Sequence, residues 1–367
     1  MFADAHADCV RVRVVIPAYN AAPWIGGAIA SVLAQTHEDW TLVVVDDGST
    51  DGTSEVVGGF SDLRIRLIRQ ANAGVSAARN CGADELCRTA PSPHPPPARG
   101  GGVAACVLPR PLREGVGGRG DSVLYLDADD LLAPDALSRL VAALDASPSA
   151  VAAIGAYAFV DTAYVRHPPS GDILRRLLVG NLFANGGHLL VRSEAIRALG
   201  GFLPGIAYGE DWEFWIRTAL RGPFVAAPGR MPVLFVRQQP GGAYHRLAAD
   251  PAAFTPCMEA IFSNPALLAR FGPRRLAAIR RRTEAENDWI IGRELIRHNR
   301  GHEGLVWLRC SVRAAFSVKR AVLFAAAHML PLLPPAWRGP FRPYPRAGDT
   351  RANFVCSVPI TPAAGRW

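Results

Sequence analysis

Apolar and polar positions follow two different periods along the first 87 residues. Runs of β-branched and aliphatic residues predict buried strands at 11–17, which ends at proline, and at 41–47, which ends at two acids, and a third strand is predicted at 63–69. Helical spacing of apolar residues predicts helices at about 21–35 and 76–86, and Asn20 is placed to cap the first of them. Strands separated by helices of this length predict a parallel sheet, the core of an α/β fold.

The same alternation resumes after a segment of different composition. Residues 88–120 hold seven prolines and seven glycines, which predicts a disordered insertion or a sequence artefact. Beyond it, the pattern predicts further elements, at 122–126 (strand), 134–146 (helix), 151–160 (strand), 188–192 (strand), 210–220 (helix) and 233–237 (strand). The predicted organisation is therefore an N-terminal tail, an α/β domain, a helical basic region and a C-terminal tail, at 1–10, 11–245, 246–345 and 346–367.

Composition and charge narrow the class of protein. The net charge of +8 is concentrated at 267–346, where we count 16 basic and five acidic residues, yet no nucleic-acid-binding motif accompanies it, so no nucleic-acid partner is expected. The seven cysteines show no metal-binding or CxxC spacing, which favours a reducing compartment. Without a leader pattern or a run of 18 apolar residues, the sequence predicts a cytoplasmic protein.

Two acidic clusters follow predicted strands, where ligands bind in such sheets. Asp46 and Asp47 would repel each other unless a cation, a nucleotide base or backbone N–H groups satisfied them, and a structural turn is as good an interpretation as a binding site. Strand alternation predicts Asp127 and Asp129 on one side, where they suit a hard divalent ion that bridges phosphates. Asp130 is explained equally well as a cap for the next helix.

Two further clusters are ambiguous when each is taken alone. Residues 17–20 (PAYN) form a strand-to-helix turn, for which a structural role is sufficient. Glu210 and Asp211 stand in a predicted first helical turn, where acids are favourable because of the helix dipole.

The order and spacing of these clusters are more specific than any one of them. VVIPAYN, VVVDDGSTDGT, GVSAARN, YLDADD and GEDWEFWIR, in this order, closely resemble the family 2 glycosyltransferases. The resemblance covers about 11–245 apart from the insertion. It implies the GT-A fold, a mainly parallel twisted sheet flanked by helices with a Rossmann-like nucleotide-binding half, followed here by a C-terminal helical region.

The resemblance also implies roles for individual residues. Asp127 and Asp129 would bind Mg²⁺ or Mn²⁺, and Asp211, supported by Glu210, would be the general base. Contacts with the nucleotide are implied for a larger set: Pro17, Ala18, Tyr19, Asn20, Asp46, Asp47, Arg79 and Asp127. One position departs from the family pattern, since Gln239 stands where many members have histidine, and His245 lies six residues further on.

The implied activity is that of a hexosyltransferase that moves a sugar, with inversion, from a nucleotide diphosphate donor to an acceptor hydroxyl. A UDP-sugar is favoured as donor, and the acceptor would be a saccharide or lipid-linked saccharide in polysaccharide or glycolipid synthesis. The alternative is a non-catalytic sugar-nucleotide-binding or scaffold protein of the same fold. A dinucleotide oxidoreductase is disfavoured, because no GxGxxG follows the first strand.

The helical region contains a 14-residue apolar stretch at 321–334 that is too short to span a bilayer. Lys319, Arg320 and Arg338 flank it, as does Trp337. This pattern favours a peripheral helix in the interface of the inner membrane face, or a helix packed on the catalytic domain.

Overall fold

The structure, a computed structural model, describes residues 11–88, 121–160, 164–237, 250–329 and 341. Both predicted tails, residues 89–120 of the insertion, Gln239, His245 and residues 330–338 lie outside them, so these predictions stay untested. The strands are β1 (Val12–Ala18), β2 (Trp40–Asp46), β3 (Ile65–Arg69), β4 (Ser122–Tyr125), β5 (Leu131–Leu132), β6 (Ala152–Ile154), β7 (Tyr157–Phe159), β8 (Val165–Arg166), β9 (Leu189–Arg192), β10 (Phe224–Ala226) and β11 (Leu234–Val236).

Eleven helices are found among the described residues. They are α1 (Ala22–Leu33), α2 (Thr53–Gly58), α3 (Val75–Arg88), α4 (Ala136–Asp145), α5 (Leu174–Val179), α6 (Ser193–Leu199), α7 (Glu210–Arg221), α8 (Thr255–Phe262), α9 (Pro265–Arg297), α10 (Gly301–Ala314) and α11 (Val318–His328). Short 3₁₀ turns lie at Gly186–His188 and Pro251–Phe254.

The main sheet has seven strands in the order β10-β6-β9-β4-β1-β2-β3. Strand β1 pairs in parallel with both β2 and β4, and β2 pairs in parallel with β3. Only β9 runs antiparallel to its neighbours, β4 and β6. The predicted α/β fold with a mostly parallel sheet is therefore confirmed, and β1, β2 and β4 point their carboxyl ends to one edge of it.

The chain divides into two compact units. The first contains Met1–Tyr157, Val165–Val236 and Ala252–Thr283, and the second contains Ala158–Tyr164, Arg237–Pro251 and Glu284–Trp367. The first unit holds the main sheet and all the candidate site residues. It also continues past residue 246, the predicted boundary, through α8 and the first part of α9.

Within the second unit, α9 and α10 pack with their backbones in close contact. A Cβ added to Gly292 would lie 2.8 Å from the carbonyl oxygen of Gly304, and one on Gly304 would lie 2.6 Å from that of Gly292. The apolar centre of this unit contains Leu308, Ala327 and Phe341. Among the described residues, no helix is long and apolar enough to cross a membrane.

Two local predictions are wrong. The strand predicted at 151–160 is two strands, because β6 belongs to the seven-stranded sheet and β7 to a four-stranded sheet. Between them, Val233 packs so closely on Gly155 that a Cβ would collide with it. Asn20 does not cap α1, since it adopts a left-handed φ of 50° one residue too early. Instead Thr53 Oγ1 accepts from the N–H of Ala21 (2.8 Å), and Asp51 Oδ2 accepts from that of Ala22 (3.1 Å).

This arrangement makes Thr53 the fully buried acceptor at the start of α1. We predict that Thr53→Val, which keeps the shape but loses the hydroxyl, lowers the free energy of unfolding by about 1–3 kcal/mol, because the Ala21 N–H is left unsatisfied. Thr53→Ser keeps the hydroxyl and loses about one methyl group, a cost of roughly 0.8 kcal/mol. Urea unfolding of both variants checks this, and a larger loss for Thr53→Ser than for Thr53→Val would contradict it.

Candidate functional site

The loops after β1 and β2 are joined by hydrogen bonds at the carboxyl edge of the sheet. The N–H of Asn20 donates to Ser49 Oγ (2.9 Å), and Asn20 Oδ1 accepts from the N–H of Thr50 (2.8 Å). Pro17 and Ala18 are buried beneath this junction, whereas Tyr19 is 55% exposed. The Tyr19 ring and the Asn20 amide therefore lie at the carboxyl edge of the sheet, where these hydrogen bonds hold the two loops together.

Asp46 and Asp47 are both buried and both satisfied by groups of the protein. Asp46 accepts from the N–H of Ser49 (2.8 Å) and from the hydroxyl of Ser54. Burial alone would raise the pKa of Asp46, but the hydrogen bonds from Ser49 and Ser54 and the nearby Arg69 outweigh it, so the pKa lies below its ordinary value. This carboxylate is held ionised inside the turn.

Asp47 holds the segment that leads into α3. Its carboxylate accepts from Gln70 Nε2 (2.7 Å), from the N–H of Ala73 (2.9 Å) and from that of Gly74 (2.8 Å). The backbone N–H of Asp47 also donates to the Ala18 carbonyl (2.8 Å). Protein groups thus satisfy both carboxylates of the pair, and Asp47 fixes the start of the helix that carries Arg79.

Arg79 is the centre of the site. Its side chain is 4% exposed and forms two ion pairs, from Nη2 to Asp127 Oδ1 (3.0 Å) and from Nη1 to Glu210 Oε1 (2.9 Å). Burial opposes the charge of Arg79, while Asp127 and Glu210 favour it, and its pKa lies above the ordinary value. One cation therefore joins the end of β4 to the start of α7.

The guanidinium is supported from below by the ring of Phe202, whose centroid lies 5.0 Å from the Arg79 Cζ. Asn80 holds this ring in place, because its amide donates to the Phe202 carbonyl (2.8 Å) and accepts from the Phe202 N–H (2.8 Å). From the other side, Arg217 donates to the carbonyls of Leu199 and Gly201. Hydrogen bonds thus join residues 78–80 (ARN) to residues 200–202 (GGF) next to the guanidinium.

Asp211 lies next to Glu210 in the first turn of α7. Burial and the neighbouring charge of Glu210 raise its pKa to about 7, although Arg79 acts in the opposite direction. Asn181 Nδ2 lies 3.3 Å from Asp211 Oδ2, at the limit of a hydrogen bond. A carboxylate with a pKa near neutrality is suited to accept a proton in catalysis.

The geometry of the β4 end differs from the prediction. Strand β4 ends at Tyr125, and a turn follows in which the Asp130 N–H donates to the Asp127 carbonyl (3.1 Å), so strand alternation does not determine where Asp127 and Asp129 point. Both aspartates are half-buried. Asp130 does not cap α4, because it is buried and accepts from the amide of Asn185.

Sequence reasoning missed Asn181 and Asn185, which lie in a stretch with no apolar period. It also gave no role to His188, which is fully buried between the Gly155 carbonyl (3.0 Å from Nδ1) and the Ala184 N–H (3.3 Å from Nε2). Burial lowers the pKa of His188 to about 4, so it stays neutral and fixes the loop structurally. The two glycines before His188 are a signal that could have indicated the tight turn found here.

The described residues contain no group of three or more His, Cys, Asp or Glu side chains arranged to hold a metal ion. Two carboxylates at the β4 end remain, Asp127 and Asp129. Magnesium is commonly held by one or two carboxylates together with substrate phosphates, so this donor set fits a cation that shares its ligands with a diphosphate.

Comparison with known proteins agrees with this geometry. Residues 13–86 and 118–200 match the model of Glycosyl transferase family 2. The resemblance to the family 2 glycosyltransferases is confirmed. The matched ranges contain the PAYN, DDGS and DADD segments and Arg79, and they end before Asp211.

Curated relatives are similar over shorter stretches. An uncharacterized glycosyltransferase of Nostoc sp., alr2836, is 34% identical over 135 residues, or 36% of this chain and 32% of the relative. The UDP-Glc:alpha-D-GlcNAc-diphosphoundecaprenol beta-1,3-glucosyltransferase WfgD of Escherichia coli is 46% identical over 74 residues, or 20% of this chain and 29% of WfgD. The chain thus matches less than a third of the length of either relative.

Solved structures share the fold over most of the chain. TarS of S. aureus, residues 1–349, aligns with a TM-score of 0.51 at 16% identity, and the alignment covers 87% of this chain and 87% of TarS 1–349. The mannosyltransferase PcManGT of Pyrobaculum calidifontis, solved with GDP-Man and Mn²⁺, aligns with a TM-score of 0.51 at 21% identity. This alignment covers 91% of this chain and 85% of the PcManGT chain. The fold is GT-A, as the resemblance implied.

The start of α7 depends on Gly209, which has a φ of +82° and lies against Cys257. A Cβ there would come within 2.8 Å of Cys257 Sγ, whereas one on Gly205, at a φ of +80°, would meet no described atom within 4 Å. We predict that both Gly→Ala variants lose about 1–2 kcal/mol of stability from backbone strain. Gly209→Ala loses roughly 1–3 kcal/mol more from the clash. Equal losses in urea unfolding would contradict the role of this packing contact.

Proposed function

We propose that this protein is a metal-dependent glycosyltransferase that moves a sugar, with inversion, from a nucleotide diphosphate donor to an acceptor hydroxyl. The observation that carries the proposal is the double ion pair of Arg79, which brings Asp127 and the Glu210–Asp211 pair into one charged site at the carboxyl edge of the sheet. Ligands of α/β sheets bind at this edge.

In this proposal Asp211 is the general base. Its carboxylate accepts the proton of the acceptor hydroxyl while the acceptor oxygen forms a bond to the anomeric carbon and the bond to the diphosphate breaks. The attack comes from the face opposite the departing diphosphate, which inverts the configuration. The raised pKa of Asp211 supports this role, because a base with a pKa of about 7 can take up and release a proton near neutral pH. Glu210 supports Asp211 and is itself held by Arg79.

The donor would occupy the edge formed by Pro17, Ala18, Tyr19 and Asn20, with Asp46, Asp47 and Arg79 at the nucleotide. Asp129 and Asp127 would hold Mg²⁺ or Mn²⁺. When bound, this ion supplies the positive charge that stabilises the departing diphosphate. The similar protein PcManGT was solved with Mn²⁺, which agrees with a divalent cation.

Similar proteins with a named activity guide the choice of substrates. WfgD acts with UDP-Glc on a diphosphoundecaprenol-linked sugar, and TuaG of Bacillus subtilis, 40% identical over 72 residues, is a putative teichuronic acid biosynthesis glycosyltransferase. TarS was solved with UDP. We therefore propose a UDP-hexose as donor and a saccharide or lipid-linked saccharide as acceptor, in polysaccharide or glycolipid synthesis.

A donor screen tests the proposal. Full-length protein is incubated with UDP-, GDP- and dTDP-sugars, with and without Mn²⁺, and nucleotide release and sugar transfer are measured. We expect Asp129→Ala to abolish the stimulation by Mn²⁺. Asp211→Asn should reduce transfer by about 10²–10⁴-fold, the usual contribution of a general base, while donor binding is retained. The exposed Asp145→Asn is the matched control.

The pH profile gives a second readout in the same screen. Because Asp211 must be ionised to act, kcat/KM should rise with pH and level off above about 7. A profile that is flat from pH 5 to 8, or full Mn²⁺ stimulation in Asp129→Ala, contradicts the assigned roles. Saturable donor binding without turnover on any acceptor would instead favour a non-catalytic sugar-nucleotide-binding or scaffold protein.

Arg79 gives a prediction about the order of binding. In the absence of ligand its charge neutralises Asp127, so Mn²⁺ alone should bind weakly. Arg79→Gln removes that charge and should tighten Mn²⁺ binding without nucleotide by about tenfold or more, since a unit charge at this range changes the energy by a few kcal/mol. Nucleotide binding should weaken.

Calorimetric titration with Mn²⁺ alone measures this effect. Arg79→Lys keeps the charge and should bind Mn²⁺ as weakly as the wild type, and the exposed Arg175→Gln controls for loss of positive charge elsewhere. Equal Mn²⁺ affinities for Arg79→Gln and Arg79→Lys would show that Arg79 does not compete with the metal.

A further inference from the structure

Helix α11 carries an apolar stripe that faces away from the centre of its own unit. Val318, Val322 and Met329 are 72%, 61% and 52% exposed, and their spacings of four and seven residues place them on one side of the helix. Phe316, just before the helix, is 73% exposed. On the opposite side Ala327 is buried in the centre of the unit. The helix is thus apolar on both faces, but only one is covered.

The sequence around the stripe is basic. From Leu305 to Met329 the sequence contains four basic residues (Arg309, Arg313, Lys319 and Arg320) and no acidic residue. Arg320 is neutralised by an ion pair with Glu286, whereas the side chains of Arg309, Arg313 and Lys319 are exposed. An apolar stripe with the exposed Lys319 next to it in the helix matches a surface with an apolar interior and anionic headgroups.

We propose that the stripe of Phe316, Val318, Val322 and Met329 inserts into the interface of an anionic lipid bilayer, with Arg309, Arg313 and Lys319 at the lipid headgroups. Helices with exposed aliphatic and aromatic residues on one face and basic residues at its border lie in such interfaces. Anionic headgroups attract each nearby Lys or Arg. The protein binds peripherally and the helix lies in the plane of the membrane.

A second copy of the chain is a poorer occupant of this face. A two-fold interface places the same patch on both sides, so Lys319 of one copy would lie close to Lys319 of the other, and Glu286 is already paired with Arg320. An anionic surface carries the opposite charge. This inference does not depend on the catalytic assignment, because it rests on the second compact unit alone.

The test is flotation of full-length protein with vesicles of phosphatidylcholine, with or without phosphatidylglycerol. We expect binding to the anionic vesicles that weakens at high salt. Val318→Glu combined with Val322→Glu should weaken this binding at least tenfold, because each substitution removes an aliphatic side chain from the interface. Lys319→Gln should weaken it about fivefold, with no effect on neutral vesicles.

Leu63→Glu is the control for an exposed aliphatic residue changed to glutamate outside the stripe, since Leu63 is 99% exposed in the first unit. It should bind anionic vesicles as the wild type does. Donor hydrolysis without vesicles should be equal in all these variants, which separates a failure of this inference from a failure of the proposed activity.

Equal flotation of Val318→Glu/Val322→Glu and the wild type would overturn the proposal. So would a wild-type protein that fails to bind anionic vesicles. If light scattering showed that the double variant converts a dimer into a monomer and leaves flotation unchanged, a second copy would cover the stripe and the membrane proposal would also be wrong.

Discussion

The site depends on one buried cation between two carboxylates. Arg79 is almost inaccessible to solvent, and a charge in that position is tolerated only because Asp127 and Glu210 both bind it. These carboxylates come from positions 83 residues apart, one after a central strand and one at a helix start. Without this cation, three acids would repel one another. The Arg79 ion pairs therefore determine the spacing of the site, and the charge of Arg79 opposes the rise in the pKa of Asp211 that burial and Glu210 cause.

The rest of the site is arranged to hold Arg79 in place. Asp47 fixes the segment before α3, Asn80 fixes Phe202 beneath the guanidinium, and Gly209 lets α7 begin beside Cys257. Asp47 and Asn80 act through hydrogen bonds to backbone groups, and Gly209 acts because it leaves room for Cys257. The motifs that point to a glycosyltransferase thus serve first to build a rigid edge on the sheet, and the chemistry depends on that rigidity.

The sequence predicted the sheet well, because buried parallel strands are continuous apolar runs, and β1 and β2 lie within two residues of their predicted bounds. It predicted less where tertiary contacts decide the outcome. Asn20 has the chemistry of a cap, but the β2–α2 loop and the first residue of α2 supply the acceptors, Asp51 and Thr53. The alternation assumed for Asp127 and Asp129 does not apply, because β4 ends two residues before Asp127. The partnership of Arg79 with Glu210 spans 131 residues, and no local pattern predicts it.

The most direct test of this account is a double-mutant cycle on stability with Asp127→Asn and Glu210→Gln. If one buried cation unites these residues, removing both leaves Arg79 without either of its ion-pair partners, and the double variant loses about 0.5–3 kcal/mol more than the sum of the single variants. Losses that add within roughly 0.3–0.5 kcal/mol would show that the two carboxylates do not share Arg79, and the united site would be contradicted.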